Sequence, residues 1–298
     1  MQTMILPSRD ADFAEVSDLT SARRLLGELL IDAGTLTAPE VERILAEQTR
    51  TGQRFGQAAR SLGLADSQEI DHALSRQFDC PYLPASDRSF SSKLATAYRP
   101  FGPIGESMRA LRSRLIMRWF SASRPHKALA VLGVERGVGR SFVAANLAVV
   151  FAQTGERTLL IDGNLQRPSQ HLMFKIQNPK RRSALLAVRD SVQEIARFPA
   201  FPELAVLPAG AVAANSQGNI APERFSALLA EVASEFDVIL VDTPAANDSA
   251  DAQAIALRTQ GAVLVARSGK TPTDQLAELD ASLQHAGVTL MGLVFNER

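Results

Sequence analysis

Cysteine, tyrosine and tryptophan are scarce in this 298-residue chain, which holds one Cys, two Tyr and one Trp. The single cysteine, Cys80, excludes an internal disulfide framework and any metal site built from several thiolates. Charge of one sign is also missing. The 32 basic residues meet 32 acidic ones and the formal net charge is zero, so nothing draws the chain to nucleic acid as a bulk polyanion. No segment approaches the roughly 18–20 apolar residues that span a bilayer, and the N-terminus lacks a basic-then-apolar leader. The sequence therefore reads as cytoplasmic, with any membrane role passing through a partner. What it does have is 46% apolar residues, enough for a sizeable core, in a length with room for about two domains.

An internal repeat marks residues 18–82. Gly27, Gly34, Glu40, Leu45 and Gln48 recur 29 residues later as Gly56, Gly63, Glu69, Leu74 and Gln77. Leu26 and Val41 find apolar partners in Phe55 and Ile70. Each unit reads as a short helix, a glycine turn, an N-cap (Thr37 or Asp66) and a second helix with Glu three residues past the cap, which is a capping box. Two copies are too few for a solenoid, so they are expected to pack on one another as a small all-α domain.

Residues 83–102 carry Pro84, Ser86, Ser89, Ser91, Ser92, Pro100 and Gly102 with apolar groups such as Phe90 out of period, and read as a linker. From 103 to 298 apolar strands alternate with amphipathic helices. Strands are expected near 127–133, 157–162, 203–207, 237–242, 261–266 and 289–295. Helices are expected near 103–119, 140–154, 222–234, 249–258 and 272–286. That alternation predicts an α/β domain with a mostly parallel sheet and helices on both faces, binding its ligand at the carboxyl ends of the strands.

Three signals fall at that edge. Val131-Leu-Gly-Val-Glu-Arg-Gly-Val-Gly-Arg-Ser141 runs from an apolar strand through a glycine turn into a helix. Backbone N–H groups of Gly137, Val138, Gly139, Arg140, Ser141 and Phe142, with the helix N-terminus, suit anionic phosphate oxygens, and the Ser141 hydroxyl suits Mg²⁺. The usual Lys before Ser is Arg140 here, a planar fork instead of a compact ammonium. The loop also starts irregularly, with Val134 five before Gly139 and Gly133 one residue earlier. Thr158-Leu-Leu-Ile-Asp162 and Asp237-Val-Ile-Leu-Val-Asp242 each end an apolar strand in a carboxylate, as a P-loop site needs for its metal shell and its nucleophile.

These residues resemble the bacterial tyrosine autokinases of capsule and exopolysaccharide export, P-loop NTPase-fold proteins. The likeness covers about two-thirds of the chain. It rests on Glu106-x-x-Arg109-x-x-Arg112, the Ser141-Phe-Val-Ala-Ala-Asn-Leu-Ala helix, Leu159-Leu-Ile-Asp162 through Arg167-Pro168 and His171, Asp237–Pro244 followed by Asp251-Ala, and Gly292-Leu-Val-Phe-Asn296. The resemblance implies ATP and Mg²⁺ as cofactors, with Ser141, Asp162 and Asp242 around the metal, Asp162 as base, Arg140 on the phosphates and Asn296 near the adenine. It implies a homo-oligomer assembled through Glu106, Arg109 and Arg112, and a membrane-bound chain-length determinant (a polysaccharide co-polymerase) as partner. The match is nearest to the stand-alone kinases of chain-length control. The N-terminal region resembles the N-terminal domain of type II secretion and pilus assembly ATPases, some of which bind cyclic di-GMP through Arg-Leu-Gly repeats. Only Arg54-Phe-Gly56 keeps that form, Arg24 being one residue out of place from Gly27, so ligand binding and a purely structural docking role both stay open.

The chain departs from the family at Arg140, at Asn164 where a second Asp belongs, and at Gln166 where Arg is frequent. The family phosphorylates a C-terminal tyrosine cluster, whereas this sequence closes on Asn296-Glu-Arg298 and its only tyrosines are Tyr82 and Tyr98. Tyr98, in the linker-like stretch, reads either as a group presented to a neighbour or as a packing residue. A nucleotide-dependent assembly switch without kinase activity is therefore the second reading. A partition- or septum-placement-type ATPase is a third, weakened because Glu135 stands where such proteins carry an extra Lys. His171 reads equally as a site or a surface group, Cys80 as a small packed side chain and Trp119 as core.

Overall fold

Five-residue apolar runs with no polar interruption form strands only where both faces are covered, and that is how they sit. The computed structural model describes residues 25–121, 126–177, 194–210 and 220–297. Seven strands among them form one sheet in the order β3-β4-β2-β5-β1-β6-β7: β1 (Ala128–Leu132), β2 (Thr158–Asp162), β3 (Ala196–Phe198), β4 (Phe201–Leu207), β5 (Val238–Asp242), β6 (Gly261–Arg267) and β7 (Thr289–Asn296). All pairings are parallel except β3 with β4, an antiparallel edge hairpin. The six expected strands are present. The three-residue β3 was not expected, being too short to show a period.

Alternation along each strand divides the core in two. Leu129 and Val131 of β1, Leu160 of β2 and Val238 and Leu240 of β5 face one side. Ala130, Leu132, Leu159, Ile161, Ile239 and Val241 face the other. The first side is covered by α6 (Pro103–Arg118) through Met108 and Leu115, and by α7 (Arg140–Gln153). Helix α7 is buried over most of its circumference, which explains a composition dominated by Val, Ala, Leu and Phe, with Asn146 and Gln153 the polar exceptions beyond its first turn. The second side is covered by α9 (Pro222–Val232), α10 (Asp251–Thr259) and α11 (Thr273–His285), through Phe225, Ile255 and Leu283 among others.

The N-terminal unit extends to Asp79. Its described part holds α1 (Leu26–Asp32), α2 (Ala38–Thr51), α3 (Phe55–Ser61) and α4 (Ser67–Phe78). Arg24 lies outside the described residues. The repeat is visible in its contacts: a Cβ on Gly27 would lie 3.1 Å from Val41 and one on Gly56 would lie 3.0 Å from Ile70, so each short helix meets its successor's apolar side through a glycine. Glu69 Oε2 accepts from Asp66 N at 2.7 Å while Asp66 Oδ1 accepts from Gln68 N and Glu69 N, and Glu40 accepts from Thr37 N at 2.8 Å.

Residues 83–102 are not a linker. The second unit begins at Cys80, and Leu83, Phe90, Leu94 and Ala97 are buried in its core, with α5 (Ala95–Tyr98) in the segment. Two buried amides of α7 hold this strap. Asn146 Oδ1 accepts from Thr96 N at 3.0 Å and its Nδ2 donates to Lys93 O, while Gln153 Nε2 donates to Pro81 O at 2.8 Å and Thr96 O at 3.0 Å. Phe90 meets the rings of Phe174, Phe198 and Phe201 at 5.0–5.8 Å between centroids. Each apolar group enters a separate tertiary pocket, so no helical or strand period could announce it. Phe90→Ala should cost roughly 3–5 kcal/mol of stability by urea unfolding. A stability equal to wild type would return this segment to linker status.

Candidate functional site

The loop between β1 and α7 is shaped by glycines and held from beneath. Gly139 caps α7 at φ 103°, and a Cβ there would fall 2.2 Å from Asn296 Nδ2. Asn296, at the end of β7, donates through that same Nδ2 to Val138 O at 3.0 Å. The structure thus places Asn296 on the loop itself as a brace. Val138 is buried in the core and Phe142 packs against it, which fixes the loop on both sides of its turn. The N-terminus of α7, with the backbone dipoles it ends, faces the space that the loop encloses.

Arg140 is buried, 7% exposed, and its Nη1 donates to Gly133 O at 3.1 Å and to Glu135 O at 2.7 Å. Burial pulls its pKa below the ordinary guanidinium value, against the opposing pull of Asp242 and Asp248. Here the substituted residue closes the loop on itself through main-chain carbonyls, a use that the planar fork of Arg permits.

The two candidate acids come together through sheet register. Asp162 and Asp242 are paired Cα partners across β2 and β5, and both are completely buried. Asp162 Oδ2 accepts from Ser169 N at 2.9 Å and Gln170 N at 3.0 Å, and its Oδ1 accepts from Asn164 N at 3.2 Å. Asp242 Oδ2 accepts from Gln170 Nε2 at 2.8 Å, while its Oδ1 has no protein partner. Burial, then the Asp242 charge, pushes the Asp162 carboxyl up to about 7, against the three backbone donors. Burial raises Asp242 as well, offset by Ser141, Gln170 and Arg140. The Asn164 side chain accepts from Arg167 N at 3.2 Å, so this departure from the family serves the turn after β2. Gln170, in the four-residue α8 (Gln170–Met173), touches both acids and was not singled out from sequence, where nothing distinguishes it from its polar neighbours.

Hard oxygen donors at Ser141 and Asp242, with Asp162 beside them and Asp242 Oδ1 unpartnered, fit a Mg²⁺ ion completed by phosphate and water ligands. Among the described residues no group of three or more His, Cys, Asp or Glu could hold a metal alone.

Other candidates lie elsewhere or are engaged. Arg109 pairs with Glu106 of its own helix at 2.9 Å, donates to Pro100 O and lies 5.0 Å over the Phe101 ring. Arg112 pairs with Glu156 and lies over Phe151. Tyr98 is a packing residue: its hydroxyl donates to Phe90 O at 2.8 Å and accepts from Phe90 N at 3.2 Å, and burial raises its pKa. His171 Nδ1 is buried without a partner, and burial lowers its pKa. Trp119 is core, donating to Ala128 O at 2.9 Å, and Cys80 is half-buried.

A glycine loop feeding a helix N-terminus, flanked by carboxylates at two adjoining strand ends, defines a P-loop nucleotide-binding domain. The family model described as cellulose biosynthesis protein BcsQ matches residues 126–284, more than half of the chain. Tyrosine-protein kinase YwqD of Bacillus subtilis is 31% identical over 191 residues, 64% of this chain and 80% of YwqD. The kinase domain of the Escherichia coli tyrosine kinase Etk superposes with a TM-score of 0.63 at 26% identity, over 70% of this chain and 81% of that one. The septum site-determining protein MinD of Pyrococcus horikoshii, complexed with Mg-ADP, shares the fold at 22% identity and a TM-score of 0.50, over 57% of this chain and 70% of MinD. The chain belongs to the bacterial tyrosine-protein-kinase family of P-loop proteins, and the BcsQ match covers the same domain. No helix among the described residues is long and apolar enough to cross a membrane.

The raised Asp162 pKa has a definite sign. A carboxyl ordinarily near 4 that sits near 7 in the folded state favours folding most when protonated. Its contribution is complete below about pH 4 and is lost as pH rises through about 7. In metal-free buffer the melting temperature should therefore fall between about pH 5 and pH 7, with a flatter slope in Asp162→Asn. Identical slopes in the two proteins would contradict the buried-acid account.

Proposed function

We propose that this protein binds Mg-ATP at the loop and acts as a tyrosine-kinase-like regulator of exopolysaccharide chain length or export, with a membrane-bound co-polymerase as partner. The observation that supports it most is the in-register pair Asp162 and Asp242 beside Ser141. In this reading the N–H groups of Gly137 through Phe142 hold the phosphates, and Ser141 and Asp242 hold the ion. When bound, Mg²⁺ would neutralise charge developing on the β- and γ-phosphate oxygens. Asp162, titrating near neutral pH, is suited to take the proton of an attacking hydroxyl as the γ-phosphoryl passes from ATP to that hydroxyl and ADP leaves. Asn296, as the loop's brace, would act on the nucleotide through Val138.

A second reading, a nucleotide-dependent assembly switch without phosphotransfer, is favoured by two observations. Arg140 is tied to loop carbonyls, and Tyr98 is tied to the Phe90 backbone. Assembly through Glu106, Arg109 and Arg112 would exchange the present intrachain pairs for interchain ones. A cyclic di-GMP role for the N-terminal repeats stays a proposal resting on Arg54-Phe-Gly56 alone.

Asp242→Asn should weaken Mg²⁺-dependent ATP binding by at least tenfold with the fold intact, because a carboxylate of the metal shell is lost. Equal Mg-ATP titrations would refute the site. Labelled ATP, supplied to the wild type with and without its membrane partner, separates the readings. Phosphotyrosine on either protein supports the kinase, and bound nucleotide with no label supports the switch.

A further inference from the structure

Gln170 is the one residue whose own atoms hydrogen-bond both site carboxylates among the described contacts. Its main-chain N–H donates to Asp162 Oδ2 at 3.0 Å. Its side-chain Nε2 donates to Asp242 Oδ2 at 2.8 Å and to Ser141 O at 3.3 Å. Both partners of that nitrogen are acceptors, so the amide cannot be turned over without setting oxygen against oxygen. The orientation is therefore dictated, and it leaves Oε1 without a donor in a side chain that is completely buried. Buried amide oxygens normally find a partner. Asp242 Oδ1, the other acceptor of this hydrogen-bonded pair, also lacks one.

Two unsatisfied acceptors on one bonded pair describe the environment of a hydrated divalent cation, which offers a metal to the carboxylate and a water proton to the amide. The position of Gln170 is secured from behind. Ser91 N donates to Met173 O at 2.8 Å, and Phe174 packs edge-on against Phe90. We infer that Gln170 is a positioning residue for the metal, turning Asp242 so that Oδ1 meets the metal shell and accepting from a metal-bound water through Oε1. This rests on the Mg-nucleotide reading of the site and adds to it a residue that acts through Asp242.

The test uses the full chain with N-methylanthraniloyl-ATP as the fluorescent probe and MgCl₂ as titrant, for wild type, Gln170→Ala and Gln170→Met. Gln170→Ala should raise the Mg²⁺ midpoint about tenfold while nucleotide affinity in EDTA stays within about twofold of wild type. Gln170→Met fills the same space with neither donor nor acceptor, so its midpoint should rise about as far as that of Gln170→Ala. A Gln170→Ala midpoint equal to wild type overturns the inference and leaves the Mg-nucleotide reading standing. A Gln170→Met midpoint restored to that of wild type also overturns it, because packing at this position would then explain the loss. Binding by the wild type with no Mg²⁺ dependence overturns the reading itself and this inference with it.

Discussion

The parallel pairing of β2 with β5 sets Asp162 directly beside Asp242, and the rest of the site follows from that register. Two carboxylates at neighbouring strand ends, both fully buried, cannot both carry charge without an outside cation or a retained proton. The surrounding groups ease this only in part. Backbone donors from Asn164, Ser169 and Gln170 reach Asp162, and the Gln170 amide reaches Asp242, yet the nearest cation, Arg140, spends its hydrogen bonds on loop carbonyls. The fold thus keeps an electrostatic demand at the carboxyl edge of the sheet, next to a helix N-terminus that favours phosphate. In the proposed reading a magnesium-bound nucleotide answers both at once.

The loop departs from the common motif at Arg140, and the structure gives that residue a definite place. Lys in that place is a mobile point charge, whereas Arg140 is a buried strut between Gly133 and Glu135. Asn296 supports the loop from β7, where a side chain on Gly139 could not fit. In the proposed reading this loop holds the nucleotide, and the rate of any phosphoryl transfer would depend on how much charge Arg140 delivers to the phosphates. The same question decides between kinase and switch.

Much of this was legible in the sequence because buried parallel strands are written as unbroken apolar runs. Leu159-Leu-Ile and Val238-Ile-Leu-Val each stop at a single Asp, so both the strands and their functional ends could be placed. What was not legible depended on distant partners. Phe90, Leu94 and Ala97 lack any period because each fits a different pocket, so a packed strap looked like a linker. The spacing of Arg109 and Arg112 put them on one helix, but nothing in it pointed to Glu156 or the Pro100 carbonyl. Gln170 gained its place from the turn after β2, which the Asp162 carboxylate gathers around itself.

The central claim is that the carboxylate pair holds a proton that the metal-bound nucleotide displaces, since metal ligands must be deprotonated to bind. Calorimetry of Mg-ATP binding at pH 7, repeated in buffers of different ionisation enthalpy, measures that proton directly. The wild type should release more protons than Asp162→Asn at the same pH. Equal release from the two proteins would show that Asp162 carries no such proton, and would contradict the account.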